Sequence, residues 1–387
     1  MDFSLNDEQR LFRDTIRDFV AKEIEPVAQE WEATDRYPTE IVETMKEMGL
    51  FGMMVPEEYG GLAIDYVSYA IVFEEISKSW HGVAGTLGSH SLACAVIAKH
   101  GTEEQKAKYL PDLATGKRRS GIGLTEPGAG SDLQGITTTA KRDGDHYVIN
   151  GTKTWITNAR HADPLPVLCK TDPSAVPAHK GISLILVEAG TPGFTVSKDL
   201  PKLGYKGTES CEVSLVDVRV PVENLVGGVE GKGLKQVLGA LETGRINVAA
   251  RAVGNGQRAY DEALKYSRER HAFGQPISDF QAIQIKLADM ATKIQAARLL
   301  VWWAASEADK GESVAMHAGM AKLFVGEVGL EASIEAMRIH GGYGYSKEFI
   351  VERLYREAPL SVIGEGTSDI MRMVIARALI SGKETIG

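Results

Sequence analysis

Three stretches of the chain set polar groups among glycines and aromatics in ways that core packing alone does not require. They are Leu124-Thr-Glu-Pro-Gly-Ala-Gly-Ser-Asp132, Trp155-Ile-Thr-Asn158 and Ile363-Gly-Glu-Gly-Thr-Ser-Asp369. In the first, Pro127, Gly128 and Gly130 force a tight turn whose backbone N–H groups can approach a ligand closely, and Thr125 and Ser131 add hydroxyls. Such a turn suits an anionic or polar cofactor; the competing reading is an ordinary turn held by its own side chains. In the second, Trp155 and Thr157 stand two residues apart, so on a strand they share one face. An aromatic plate beside a hydrogen bonder could stack a flat heterocycle, whereas the bland alternative is a core tryptophan. In the third, Glu365 lies between Gly364 and Gly366, just before Thr367 and Ser368, either of which could cap a helix. A carboxylate on so bare a backbone is reachable by a substrate and could act as a base; the alternative is a solvated acid beside a helix N-terminus. The helix end would lower the Glu365 pKa and an apolar pocket would raise it, so its direction stays open at this point.

Regions of different character must position these groups. A length of 387 residues predicts two or three domains at roughly 150 residues each. Residues 1–119 read as an all-helical domain, with turn signals at Pro38 and Gly60-Gly61 and a capping box at Thr102-Glu-Glu-Gln105. Residues 120–228 read as a β-barrel-like domain of short apolar runs, including Tyr147-Val-Ile149 and Ile182-Ser-Leu-Ile-Leu-Val187. Asn150-Gly151 is its strongest hairpin signal, and the proline-bearing Thr171 to Lys180 reads as an exposed loop. Residues 229–387 return to helical spacing. Ile283, Leu287, Met290, Ile294, Ala297 and Val301 form one seam, and Met316, Met320, Leu323, Leu330, Ile334 and Met337 a second, interrupted by Glu327. With a long helix around Leu238 to Arg268 and one after Thr367, four helices close a bundle. The expected class is α+β multidomain: an N-terminal helical domain, a middle β-barrel-like domain and a C-terminal four-helix bundle.

Composition excludes several function classes. Forty-three Lys+Arg against 52 Asp+Glu leave a net charge of −9, which argues against nucleic-acid or anionic-membrane binding. No run approaches 18 apolar residues, so no membrane span is expected. Cys94, Cys169 and Cys211 are odd in number and never form CxxC, which suits a reducing compartment. Met1-Asp2-Phe3 leads straight into an acidic amphipathic stretch with no secretory or transit pattern, so the expected location is cytoplasmic. The nine His are scattered with no HExxH, so no metal site is expected. The turn Gly128-Ala-Gly-Ser131-Asp-Leu133 fails the GxSxG elbow. Gly233 stands where a phosphate loop needs Ser or Thr, and Gly342-Tyr-Gly344 follows helical spacing, not a strand.

Taken together and in order, the three stretches closely resemble the acyl-CoA dehydrogenase family over nearly the whole chain. Arg270-His-Ala-Phe-Gly274 with Gln281 resembles its RxxFG element, and His340-Gly341-Gly342 its late glycine pair. The resemblance implies FAD held between the β domain and the bundle, cradled by Leu124, Thr125, Gly130 and Ser131. It further implies Trp155, Ile156 and Thr157 at the isoalloxazine, the threonine near N5, and Thr367, Ser368 and Asp369 at the cofactor. Arg270, Phe273 and Gln281, with Arg338, Ile339, His340, Gly341 and Gly342, are similar to the segment that a neighbouring subunit lends to the pyrophosphate and adenosine, so a homodimer or homotetramer is implied. A guanidinium suits a pyrophosphate because its fork binds two oxygens.

Glu365 matches the family's base, which takes the α proton of an acyl thioester while a β hydride goes to the flavin, giving a trans-2-enoyl-CoA. The resemblance places Glu242, Arg245, Ser131, Gly364 and Gly366 by the substrate; for Glu242 and Arg245 an i, i+3 ion pair is the competing reading. Electron-transferring flavoprotein is the implied electron acceptor, and β-oxidation the implied setting. Gly364 replaces a common Tyr, Gly244 stands where some relatives carry their base, and Arg338 replaces a usual Gln. The two glycines suggest a pocket tolerant of branching or a ring near Cα, and the expected acyl chain is short or branched or cyclic. An oxidase or flavin monooxygenase on the same scaffold, or a non-enzymatic acyl-CoA-binding scaffold, are the competing functions.

Overall fold

The computed structural model describes residues 4–311 and 313–382; Met1 to Phe3, on which the expectation of no leader rested, lie outside the described residues. Six helices come first: α1 (Asp7–Phe19), α2 (Glu25–Ala33), α3 (Thr39–Glu47), α4 (Tyr66–Ser79), α5 (His81–His100) and α6 (Glu103–Ala114). The Thr102/Gln105 capping box forms as its spacing predicts, satisfying two amides at the start of α6. Helices α4 and α5 are buried on almost every side, which places them centrally, not on a solvated face.

Next come β1 (Thr139–Asp143), β2 (His146–Thr157), β3 (Leu165–Lys170), β4 (Ile182–Val187), β5 (Phe194–Asp199) and β6 (Ser210–Pro221), in one sheet of order β4-β3-β1-β2-β6-β5. All neighbours are antiparallel except β1 and β3. Buried residues of β1, β2, β3, β4 and β6 meet in one cluster, so the sheet curls around its own core. The hairpin expected at Asn150-Gly151 is absent. The turn lies at Gly144-Asp145, closed by the Asp143–His146 pair, and Asn150-Gly151 sits inside β2 at a register shift. There the Asn150 side chain exchanges hydrogen bonds with Asp217 at 3.1 and 2.9 Å. A Cβ on Gly151 would come 2.7 Å from the Thr138 Cα. Close sheet packing, not a turn, is what demands this glycine. The Thr171–Lys180 stretch is a largely exposed loop, as expected.

The last region holds α7 (Gly233–Glu269), the ribbon β7 (His271–Ala272) and β8 (Gln275–Pro276), then α8 (Gln281–Ala308) and α9 (Ala315–His340). Short α10 (Val351–Glu357) and α11 (Leu360–Ile363) precede α12 (Ser368–Ile380), and α7, α8, α9 and α12 are the four expected helices. The α8 seam is buried from Met290 to Val301. On α9 the expected stripe is displaced after its first member: Met316 is buried, but Met320, Leu323, Leu330, Ile334 and Met337 are half-buried, while Ala318, Ala321, Val325, Gly329, Ala332 and Ala336 form the deep face. The reason is proximity, since a Cβ on Gly329 would meet the α7 carbonyl of Ala252 at 2.9 Å. Only small residues admit so close a crossing. Glu327 is a rim residue, ion-paired to Arg372 at 2.5 Å. One hydrophobic core joins α1 and α4 to α7, α8 and α9, so the first and last regions share an interior. Among the described residues no helix is long and apolar enough to cross a membrane.

Candidate active site

Glu365 lies in the four-residue break between α11 and α12, with left-handed backbone at φ 53°. Such a conformation costs a non-glycine residue of order 1–3 kcal/mol and persists only where the surroundings impose it. Here the surroundings are visible. Thr367 caps α12 by accepting from the Ile370 N–H at 3.3 Å. Lys322 of α9, 1% exposed, donates to the Gly366 carbonyl. A Cβ on Gly366 (φ 103°) would fall 2.7 Å from the Met371 Cε.

The carboxylate turns inward onto α7. Its Oε2 is buried without a hydrogen-bond partner, and a Cβ on Gly244 would overlap it. The room left by Gly244 is therefore filled by the base, which corrects the expectation that this glycine widens the acyl pocket. Around the carboxylate stand Arg251, Arg245 and Lys322. Burial raises the Glu365 pKa, and the three cations oppose the rise without cancelling it. Burial likewise brings the Lys322 ammonium down to about 8, partly offset by Glu365. Arg245 is 5% exposed with its Nε unpartnered. Glu242 does not form the i, i+3 pair with it; it accepts from Ser313 Oγ at 2.9 Å and Val314 N–H at 2.8 Å. Arg251 and Lys322 escaped sequence reasoning. The available signal was a lone cation inside an otherwise apolar run, as in Gly319-Met-Ala-Lys-Leu-Phe-Val325.

A second constellation lies on the sheet. Trp155 sits at a register shift of β2 with φ 61°, which turns its indole outward to 56% exposure. Thr157 is half-buried, whereas Ile156 points into the sheet core. The Leu124–Asp132 turn is tied to this strand where the Thr154 N–H donates to the Thr125 carbonyl at 2.8 Å. A buried pair fixes it further: Lys153 Nζ donates to Glu126 at 2.8 Å and to the Leu124 carbonyl at 3.2 Å. Glu126 also accepts from Thr137 N–H at 2.6 Å and Thr138 N–H at 3.0 Å. Burial raises its pKa, but Lys153 and the threonines outweigh burial and hold it at about 2. A Cβ on Gly128 or Gly130 would meet nothing within 4 Å, and Ser131 is exposed beside them. An open glycine turn beside an exposed indole fits a flat, polar-tailed cofactor.

The third set gathers at the far end of α9. A cavity of about 650 Å³ is lined by Arg270, Ile339, His340, Gly341, Gly342 and Tyr343. Phe273 is 96% exposed and Gln281 also faces outward. Arg338 pairs with Glu335, and Asp369 with Arg372 at 3.2 Å, while Ser368 is half-buried. Between Lys322 and His340 run 18 residues of α9, about 27 Å of helix.

Residues 6–117, 121–218 and 231–380 match, in turn, the N-terminal, middle and C-terminal domains of acyl-CoA dehydrogenase. The chain belongs to the acyl-CoA dehydrogenase family. It is 45% identical to the probable acyl-CoA dehydrogenase YngJ of Bacillus subtilis, covering 98% of this chain and all of that one. It is 42% identical to the caffeyl-CoA reductase-Etf complex subunit CarC of Acetobacterium woodii, over 97% of this chain and 99% of the relative. Butyryl-CoA dehydrogenase from Megasphaera elsdenii superposes with a TM-score of 0.95 at 39% identity, covering 98% of this chain and all of that one. The protein is thus an FAD-dependent oxidoreductase acting on the CH–CH group of donors.

Proposed function

We propose that this family member dehydrogenates an acyl-CoA thioester to the trans-2-enoyl-CoA with Glu365 as the base. The observation that carries this reading is a half-buried glutamate whose inner carboxylate oxygen, Oε2, is buried and unpartnered. Bound FAD supplies the acceptor for the β hydride; the remaining demands fall on the chain. An α proton is weakly acidic, so the base must be desolvated, positioned and still ionised. Burial makes Glu365 the stronger base, and Arg251, Arg245 and Lys322 keep its anion populated. Among the described residues the Glu365 N–H meets no acceptor, leaving it free to polarise the thioester carbonyl. Arg245 and Glu242 would border the CoA portion, with Gly366 and Ser131 nearby. Gly364 would leave the reacting carbons without a neighbouring side chain, and its own Cβ position is taken up by α11, 3.3 Å from the Leu360 carbonyl.

The Leu124, Thr125, Gly130 and Ser131 turn with Trp155, Ile156 and Thr157 would hold one end of FAD. Thr367, Ser368 and Asp369 would border it. The 27 Å between the Glu365 region and His340 supports assigning Arg270, Phe273, Gln281, Arg338 and Ile339 to Gly342 to the cofactor of a neighbouring subunit, in a homodimer or homotetramer. The domain limits 1–119, 120–228 and 229–387 belong to this proposal. Electron-transferring flavoprotein is the proposed electron acceptor, supported by the Etf-complex relative. Three buried, unpaired cysteines support a cytoplasmic location. That same relative favours a second reading, reduction of a 2-enoyl-CoA.

The test is anaerobic bleaching of the purified yellow enzyme by saturated acyl-CoA thioesters. Bleaching that persists until electron-transferring flavoprotein is added is expected. Prompt reoxidation by air with stoichiometric peroxide would make it an oxidase, and no bleaching by any saturated thioester would leave the reductase reading.

A further inference from the structure

Arg251 is a buried cation whose charge acts on Glu365 but whose hydrogen-bonding groups the proposed reaction leaves unused. It is 5% exposed, and its Nε has no partner. Its one hydrogen bond is a long one, 3.4 Å to the Tyr205 hydroxyl, with the guanidinium carbon 5.8 Å from that ring's centre. The partly exposed Arg356, Arg258 and Arg298 meet Glu32 and Glu352, Glu25 and Glu262, and Glu74, whereas the buried Arg245 and Arg353, like Arg251, form no ion pair among the described residues. Among the described residues no carboxylate lies within ion-pair distance of Arg251.

The charge count around the crevice makes this significant. Three cations face Glu365, and Glu242 is committed to Ser313 and Val314. Lys322 can relieve the excess by losing its proton, but a guanidinium is permanently charged in proteins. Arg251 stands seven residues beyond Gly244, on the same face of α7 and about 10 Å further along its axis. Its backbone is thus anchored two turns past the base's contact on α7, while its side chain still acts on Glu365.

The groups around Arg251 are donors as well. His81 has both ring nitrogens buried and unpartnered, and it opens α5 without a side-chain cap. Burial and the nearby Arg251 hold its pKa well below the usual histidine value, so it is neutral and carries one N–H. Its ring lies 5.9 Å from that of Tyr205, whose hydroxyl occupies the space a Cβ on Gly85 would take. A guanidinium fork, a phenol, an imidazole N–H and an uncapped helix start thus lie close together, and among the described residues no carboxylate is hydrogen-bonded to any of them.

We propose that Arg251 selects an acyl thioester whose short chain itself carries a carboxylate, bound at the end remote from the thioester. This rests on the reading of Glu365 as base and names the substrate class for it. The remote carboxylate undergoes no chemistry; it neutralises Arg251 and fixes Cα and Cβ against Glu365.

The experiment compares holoenzyme and its Arg251→Gln and Arg251→Lys variants. The probes are butanoyl- and pentanoyl-CoA set against the half-thioesters of glutaric and adipic acids, by flavin bleaching and by calorimetric binding. The native enzyme is expected to favour a carboxylate-bearing thioester by about 10²-fold in kcat/KM, the scale of a desolvated charge pair. Arg251→Gln should abolish that preference, the larger loss falling on binding and KM of the carboxylate-bearing thioesters, and Arg251→Lys should restore part of it; simple loss of folding lowers both substrates together. A native preference for neutral chains, or equal losses on both in Arg251→Gln with Arg251→Lys no better, overturns the proposal. Arg251-dependent binding of the carboxylate-bearing thioesters without bleaching by any thioester would refute the base reading and keep this one.

Discussion

Two buried carboxylates in this molecule are treated in opposite ways. Glu126, under the glycine turn, receives two backbone N–H groups and an ammonium, and its pKa falls to about 2. Glu365, against α7, has three cations near it but no hydrogen bond to Oε2, and its pKa rises. Burial is common to both, so burial does not decide the outcome. Direct donation to the anion does, because a hydrogen bond replaces lost hydration where charge at a distance replaces only part of it. The satisfied acid fixes a loop, and the unsatisfied one retains basicity for chemistry.

The largest effect that could break this contrast is Glu365→Gln. Flavin bleaching by substrate should fall by about 10²–10⁴-fold. The same variant should melt higher than the native enzyme at neutral pH, because it removes an anion that the folded state binds poorly. The sign follows from linkage: a raised native pKa stabilises the fold below the unfolded value of about 4.5, and that contribution is lost as pH rises through the native value. The difference in melting temperature should therefore close as pH falls below about 4.5, and a native bleaching rate that is flat across that range would contradict the raised pKa. Next comes Lys153→Met, which leaves Glu126 buried and unpaired. A loss of about 3–5 kcal/mol in denaturant unfolding is expected, with reduced flavin content. An unchanged midpoint would mean that the backbone donors alone satisfy Glu126. The smallest is Gly244→Ala, whose Cβ displaces the Glu365 carboxylate. Turnover should drop about 10²-fold with little change in stability or thioester affinity. Undiminished turnover would show that Glu365 acts from another rotamer.

Much of the architecture was legible because its signals are local. The Thr102 capping box, the Thr367 cap and the α8 seam need only neighbours in sequence. Asn150-Gly151 misled because a good turn dipeptide was overruled by Thr138, just before the paired strand β1, pressing on β2 at Gly151. The α9 stripe misled for a related reason: large residues mark an apolar face, but α7 approaches so closely that the alanine and glycine face is the deep one. At the site, Glu365 stood out by its glycines, whereas Lys153, Arg251 and Lys322 looked like ordinary surface cations.

The order of residue types alone determined three regions, their helical or extended character, and the one loop acid poised between glycines. Periodicity and capping act within a few residues, so one-dimensional information suffices for them. Tertiary structure decided which charges would be matched. Only folding brings Lys153 to Glu126 while leaving Arg251 seven residues past Gly244 without a carboxylate, and electrostatic satisfaction depends on distances through space that spacing along the chain does not encode.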